Sequence, residues 1–346
     1  MPTHERPHER SRRRRTRLAV TAVVAVSAIA LVGVPLLVLD EDSGAMTPFS
    51  VGPDPARRPP VPTAAPTTVA PQPPVDTTTD PPAPTATPAP ADPVDPAVDP
   101  ASGESSAPSA ADQASPSGEA APVGDLPGWT QTFVDDFDTP VDRGSFPGPY
   151  ASSWLPYDGF TDTADIGTYR ASAISVADGM LSLGVSALGD DITSSAVVPL
   201  VDGKWGGTTY GRYSVRLRSD PVPGYSAAFL LWSDDNDWDD GEIDFPEGHL
   251  DKNVRAYNHT PGDPAENSFA RRTAVPFSEW HTYTIEWKPD EIVFSIDGVT
   301  IGTTRSDIPT ATMHWVMQIE TSKKRPPEGA AGAVQIDWAA IYRYDG

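Results

Sequence analysis

The chain has 346 residues with 25 Lys+Arg against 48 Asp+Glu and no cysteine, which excludes disulfide frameworks, thiolate-held metals and thiol nucleophiles. Of its 40 prolines, 21 fall between 46 and 126, so domain material is confined to roughly the last 220 residues. From 127 on there are 16 Lys+Arg against 33 Asp+Glu. A surface that negative repels phosphate backbones and anionic lipid headgroups, which excludes nucleic acid as partner and favours neutral or cationic ligands.

The chain opens with a basic segment, 1–17, that ends in Arg12-Arg13-Arg14-Arg15-Thr16-Arg17, followed by 22 residues without a charge, Leu18 to Leu39. As a helix such a stretch reaches roughly 33 Å, enough to cross a hydrocarbon core of about 30 Å and longer than the usual apolar region of a cleaved signal. Residues 18–39 therefore read as a signal-anchor with its Arg cluster in the cytoplasm and everything after Asp40 outside. Cleavage near Ser43-Gly44-Ala45 would make the same protein secreted. Residues 40–126 are Pro, Thr, Ala, Ser and Asp with almost no large apolar side chains. They cannot bury enough surface to offset their ordering entropy, so they read as an extended spacer.

Aromatic residues begin at Trp129, and short strand patterns follow one another, split by Gly, Asp or Pro. Expected strands are 173–176, 180–185, 212–218, 226–232, 242–245, 254–258, 282–287, 292–296, 315–319 and 334–342. Tyr213, Val215 and Leu217 alternate with Arg212, Ser214, Arg216 and Arg218, and Tyr283, Ile285 and Trp287 alternate with Thr282, Thr284 and Glu286. One face of each is buried and the other polar. Asp297-Gly298 is a hairpin signal, and no window offers a long amphipathic helix. The pattern predicts an all-β domain over 127–346, a sandwich of two packed antiparallel sheets.

The sharpest feature is Glu242-Ile243-Asp244-Phe245-Pro246-Glu247. Regular alternation puts Glu242 and Asp244 on one face, Ile243 and Phe245 on the other, and Glu247 with the apolar set. That arrangement buries a charge. One extra residue in a β-bulge around Phe245-Pro246 returns Glu247 to the acidic face, and proline is tolerated at a bulge because it has no N–H to give the ladder. Two glutamates facing each other across a sugar ring are the equipment of glycoside hydrolysis, one attacking the anomeric carbon and the other protonating the departing oxygen. Asp244 between them biases their protonation states, since carboxylates so close cannot all ionise. The residues supply this set of three without ordering the two glutamates.

Glu242-x-Asp244-x-x-Glu247 resembles the catalytic motif of family 16 glycoside hydrolases in its bulged form, that of laminarinases and related endo-β-1,3-glucanases. Tyr210 to Leu217 resembles the family's strand before the catalytic one, Trp280 to Trp287 with Asp297-Gly298 its later hairpin, Val334 to Tyr342 its last strand and Phe133 to Asp138 its first. The resemblance implies a concanavalin-like β-jelly roll with a substrate cleft across its concave sheet. It also implies a retaining, endo-acting double displacement on a β-linked polysaccharide, with Glu242 as nucleophile, Asp244 as the assisting residue and Glu247 as general acid/base. The expected substrate is a β-1,3- or mixed-linkage glucan and the expected enzyme a monomer needing no cofactor for catalysis. The same scaffold hosts transglycosylases, and a carbohydrate-binding or wall-tethering module is the non-catalytic alternative.

Sugar rings stack their C–H faces on aromatic rings, which makes Trp232, Trp238, Trp205 and Tyr225 candidate substrate contacts, although aromatic residues also dominate buried area in sandwiches. His259, after the next strand, and Gln318, in Val316-Met317-Gln318-Ile319-Glu320, match positions the family turns to its cleft. Glu320 shares the parity of Gln318. The acidic run Ser233 to Asp240 lacks the glycine of a calcium-binding loop and reads as a solvated turn. Family members sometimes carry a structural calcium away from the cleft, with an Asp of the last strand among its ligands, and the residue in that position is Asp337.

Overall fold

A computed structural model describes residues 115–346. The expected basic segment, the apolar span and most of the spacer lie outside the described residues, among which no helix is long and apolar enough to cross a membrane. Sixteen strands are described: β1 (Trp129–Asp135), β2 (Trp154–Pro156), β3 (Thr168–Tyr169), β4 (Ile174–Ala177), β5 (Met180–Leu188), β6 (Asp191–Pro199), β7 (Gly211–Ser219), β8 (Tyr225–Ser233), β9 (Glu242–His249), β10 (Asn253–Thr260), β11 (Asp263–Pro276), β12 (His281–Trp287), β13 (Ile292–Ile296), β14 (Val299–Thr304), β15 (Met313–Thr321) and β16 (Ala331–Tyr344).

Their order is β11-β10-β9-β8-β15-β6-β5-β16-β7-β12-β13-β14. The first six make one leaf and the last six the other, because β6 pairs with β15 through 195–197 and with β5 through 191–193 and so turns the corner between them. Pairing is antiparallel except between β3 and β6. Alternation sets which side chains meet between the leaves. Ala227, Phe229 and Leu231 of β8, Ile243 and Phe245 of β9, and Trp315, Met317 and Ile319 of β15 pack there on Tyr213, Val215 and Leu217 of β7 and Tyr283, Ile285 and Trp287 of β12. The inward faces of β7 and β12 are those the sequence pattern predicts.

Two expectations are corrected here. The boundary at 126 is too late, because residues 115–126 lie along the second leaf. There Ser115 Oγ and Ser117 N–H donate to Asp337 Oδ2 at 2.5 and 3.2 Å, and Glu119 accepts from Arg216 at 2.7 Å. Strands β2, β3, β6, β11 and β14 have no counterpart among the expected ones, and β1 answers only to the first strand implied by the resemblance. Segment 191–199, with Ser and Thr at its centre, is a strand buried on both faces, a condition that erases alternation.

Candidate active site

The acids are brought together by the register of β9. On one side Glu242, Asp244 and Glu247 stand opposite Trp232, Leu230 and Ala228 of β8; on the other they stand opposite His259, Tyr257 and Arg255 of β10. Between Asp244 and Glu247 three steps on β9 face two on each neighbour, which is the expected bulge. Ile243 and Phe245 accordingly point into the core while Glu247 joins Glu242 and Asp244 on the opposite face. Gly241, at φ 85°, carries the chain from the short 3-10 turn Trp238–Asp240 into β9. A Cβ there would sit 3.0 Å from the His259 carbonyl oxygen, so both the backbone angle and the space favour glycine.

One ligand atom each from Glu242, Asp244 and His259 lies within 4.8 Å of the others. His259 is buried, its Nδ1 is 2.9 Å from the Pro264 carbonyl oxygen and its Nε2 is 3.2 Å from Asp244 Oδ2. A carbonyl oxygen only accepts, so Nδ1 carries a proton, and the approach of Nε2 to a carboxylate favours a second one there. Burial alone would lower the His259 pKa, but the hydrogen bond and charge of Asp244, with the Pro264 carbonyl, outweigh it and raise it above the usual histidine value. Asp244 thus faces His259 on one flank and Glu242 on the other, a part of the electrostatics the motif alone does not reveal.

The candidate substrate contacts divide. Trp238 is half-buried on the acidic face, with its ring centroid 5.2 Å from that of Trp232 and 5.6 Å from that of His259. Trp232 lies beneath it, buried, and its Nε1 donates to Asn236 at 3.0 Å. Gln318 is on the same face opposite Ala228, with Oε1 accepting from Tyr169 OH at 3.2 Å. Trp205 packs at the edge of this face against His314, at 4.4 Å between centroids, and also lines a separate cavity of about 230 Å³ with Tyr213, Met313 and Trp315. Tyr225 is a correction: its ring is buried between the leaves and its OH donates to the Ser186 carbonyl at 2.7 Å, so it is a core residue.

Asp337 is the second correction. Its Oδ2 accepts from Ser115 and from both the N–H and the hydroxyl of Ser117, and Arg216 Nε in turn donates to that hydroxyl. A calcium ion wants six to eight oxygens, several of them charged. The Asp337 carboxylate is already engaged by three donors beside a guanidinium that also holds Glu119, so the donor set does not fit calcium. The acidic run before β9 is a knitted turn in which Asp237 accepts from the Asp239 N–H, Asp240 accepts from Ser233, and Asp234 accepts from Gly207 and His314. Burial alone would raise Asp234, but hydrogen bonds from His314 and Gly207 hold it below the usual carboxylate range.

Residues the sequence reading passed over also face the acids. His314 has the parity of Gln318 four residues on, and Arg255 and Tyr257 have the parity of His259. Period-two counting from the accepted candidates would have found them. Tyr169 ends the two-residue strand β3 and Thr163 lies in the loop before it, where no period can show.

Residues 205–340 match the family described as glycosyl hydrolases family 16. Over that segment the chain is similar to glycosyl hydrolases family 16. Over 118 residues it is 28% identical to a beta-glucanase of Acetivibrio thermocellus, covering 33% of this chain and 35% of that protein. Over 123 residues it is 31% identical to a beta-glucanase of Rhodothermus marinus, covering 32% and 41%. The chain therefore spans well under half the length of these curated relatives. Among solved structures, a non-specific endo-beta-1,3(4)-glucanase of family GH16 superposes with a TM-score of 0.52 at 17% identity, covering 64% of this chain and 97% of that one. The likeness is one of fold, and it covers more of the chain than the matched segment does.

Proposed function

We propose that the sandwich domain is a retaining, endo-acting β-glycan hydrolase working outside the cytoplasm on a β-1,3- or mixed-linkage glucan. The observation that carries the reading is the bulge in β9, which gives Glu242, Asp244 and Glu247 one common face. Glu242 attacks the anomeric carbon, and the C–O bond to the leaving sugar breaks as Glu247 gives that oxygen its proton. Glu247, now a carboxylate, takes a proton from water as the water oxygen attacks the glycosyl–Glu242 ester. Sugar configuration is thereby retained and both glutamates return to their starting states. Asp244, paired with His259, stands between the two and orients Glu242.

The relatives named beta-glucanase support the glucan assignment, and the excess of acid over base supports a neutral polymer. The apolar span and spacer at the N-terminus support export, with the domain held away from the surface. The test is release of reducing ends from defined β-glucans by the full chain. Glu242→Gln and Glu247→Gln are each expected to lower kcat by about 100-fold or more, and the first product detected by NMR should be the β-anomer. Unchanged hydrolysis in both variants would sink the reading. Products longer than the substrate in the presence of an acceptor sugar would replace hydrolysis by transfer.

A further inference from the structure

Next to Glu247 the acidic face carries a second carboxylic acid that the proposed reaction does not use. In β15, Gln318 stands opposite Ala228, which stands opposite Glu247; one pleat further, Glu320 stands opposite Ser226, which stands opposite His249. The intervening β8 side chains are small. They leave a cavity of about 60 Å³ with Glu247 and Glu320 on its walls and Thr163, Ser226, Ala228 and Ser322 between.

Glu320 is built into this wall. Its Oε2 accepts from the N–H and hydroxyl of Thr163 and from Tyr169 OH at 3.2 Å, and every one of these contacts falls on Oε2. Oε1 is the atom left for a ligand. Tyr169 OH is also 3.2 Å from Gln318 Oε1, so amide and carboxyl meet at one shared hydroxyl. That geometry leaves the Gln318 amide nitrogen, fully buried, without a hydrogen-bond partner among the described residues. A buried N–H₂ without an acceptor costs free energy that a ligand oxygen recovers. The Glu320 carboxylate on the cavity wall can accept from a sugar hydroxyl, and the Gln318 amide, joined to it through the Tyr169 hydroxyl, supplies a donor on the same face.

We infer that Glu320 and Gln318 together hold hydroxyls of a neutral sugar of the substrate on the Glu247 side, and that they reject sugars bearing a carboxylate or sulfate at that position. This rests on the hydrolase reading above and names the substrate class of the same site. An anionic substituent in the cavity would meet Glu320, Glu247 and, behind Ser194, Asp162. The cation among the described lining residues, Lys323, sits on the exposed rim. Like charge at this distance is a repulsive device as much as the hydrogen bonds are an attractive one.

The experiment compares the full chain with Glu320→Gln on an unsubstituted β-glucan and on its carboxymethylated derivative. Glu320→Gln is expected to raise KM on the neutral glucan about tenfold, with kcat within about threefold, the scale of one charge-assisted hydrogen bond. It should also shrink the preference for neutral over carboxymethylated glucan by a similar factor. Ala164→Trp, which fills the cavity from its rim, is expected to raise KM on the neutral glucan in the same way. Unchanged KM and unchanged preference in both variants, in a chain that Glu247→Gln inactivates, would overturn this inference alone. If neither glucan binds, read by tryptophan fluorescence in Glu242→Gln, the inference falls together with the proposed function.

Discussion

His259 and Glu320 are two buried titratable groups on one face, and their environments shift them for different reasons. His259 is drawn up by Asp244 against the opposing effect of burial, and a base raised in the folded state adds stability below its unfolded value that is lost as pH rises through the folded value. Glu320 is pushed from 4.5 up to about 7, first by desolvation and, beyond the lowering bond from Thr163, by the charge of Asp162. A raised acid has the same sign: its favourable contribution is full below about 4.5 and gone above about 7. The difference is on the order of 3 kcal/mol. Glu320→Gln removes that dependence, so its stability relative to the parent, measured by urea unfolding, should rise between pH 5 and pH 8. A flat difference across that range would count against the assignment. For His259→Asn, which keeps a polar group but gives up the imidazole opposite Asp244, the expected outcome is a kcat about 10- to 100-fold lower with KM little changed. Loss of KM with intact kcat would mean that His259 touches substrate and does not position Asp244.

At the scale of a strand, β9 is where the sequence pattern breaks its own period. Ile243 and Phe245 are both inward, and if the same residues paired without a bulge Glu247 would follow them into a core of aromatic and aliphatic side chains. Deleting Pro246 removes the extra residue and leaves Glu242-Ile243-Asp244-Phe245-Glu247, in which strict alternation by itself keeps all three acids on one face without a bulge. The deletion is expected to fold and to keep measurable hydrolysis, and loss of both would mean that β9 needs the bulge for more than the register of its acids. Pro246→Ala keeps the residue count and should keep most of the activity, so the pair separates register from the chemistry of proline. The bulge was legible because it was the one register that left no acid buried. β6 was not legible, because a strand covered on both faces shows no alternation, and Thr193-Ser194-Ser195 before Ala196-Val197-Val198 leaves only a short apolar run. Tyr225 misled for a related reason: an aromatic residue beside a strand reads the same whether it faces a ligand or the core, and only the partner strand tells them apart.

For the molecule as a whole, the folded unit reaches back to about 115. Ser115, Ser117 and Glu119 engage Asp337 and Arg216 on the second leaf, and the Trp338 indole donates to the Glu119 carbonyl at 3.0 Å. A chain begun at 127 leaves Asp337 and Arg216 without these partners, each hydrogen bond to a charged group contributing about 1.5–3 kcal/mol. Its melting point should lie below that of a chain begun at 115 by about 2–4 °C for each kcal/mol lost. Equal melting points would mean that the segment merely rests on the sheet.

Composition and local pattern were enough to determine the class of the domain, the inward faces of β7 and β12, and the trio of acids, because each depends on which side of a two-residue repeat a side chain occupies. The partners of that trio were decided by tertiary structure alone. His259 comes to Asp244, Tyr169 to Gln318 and Glu320, and the 115–119 segment to Asp337 across separations in sequence that no repeat encodes. Their meeting follows from the order in which strands are laid side by side, which is a property of the folded sheet.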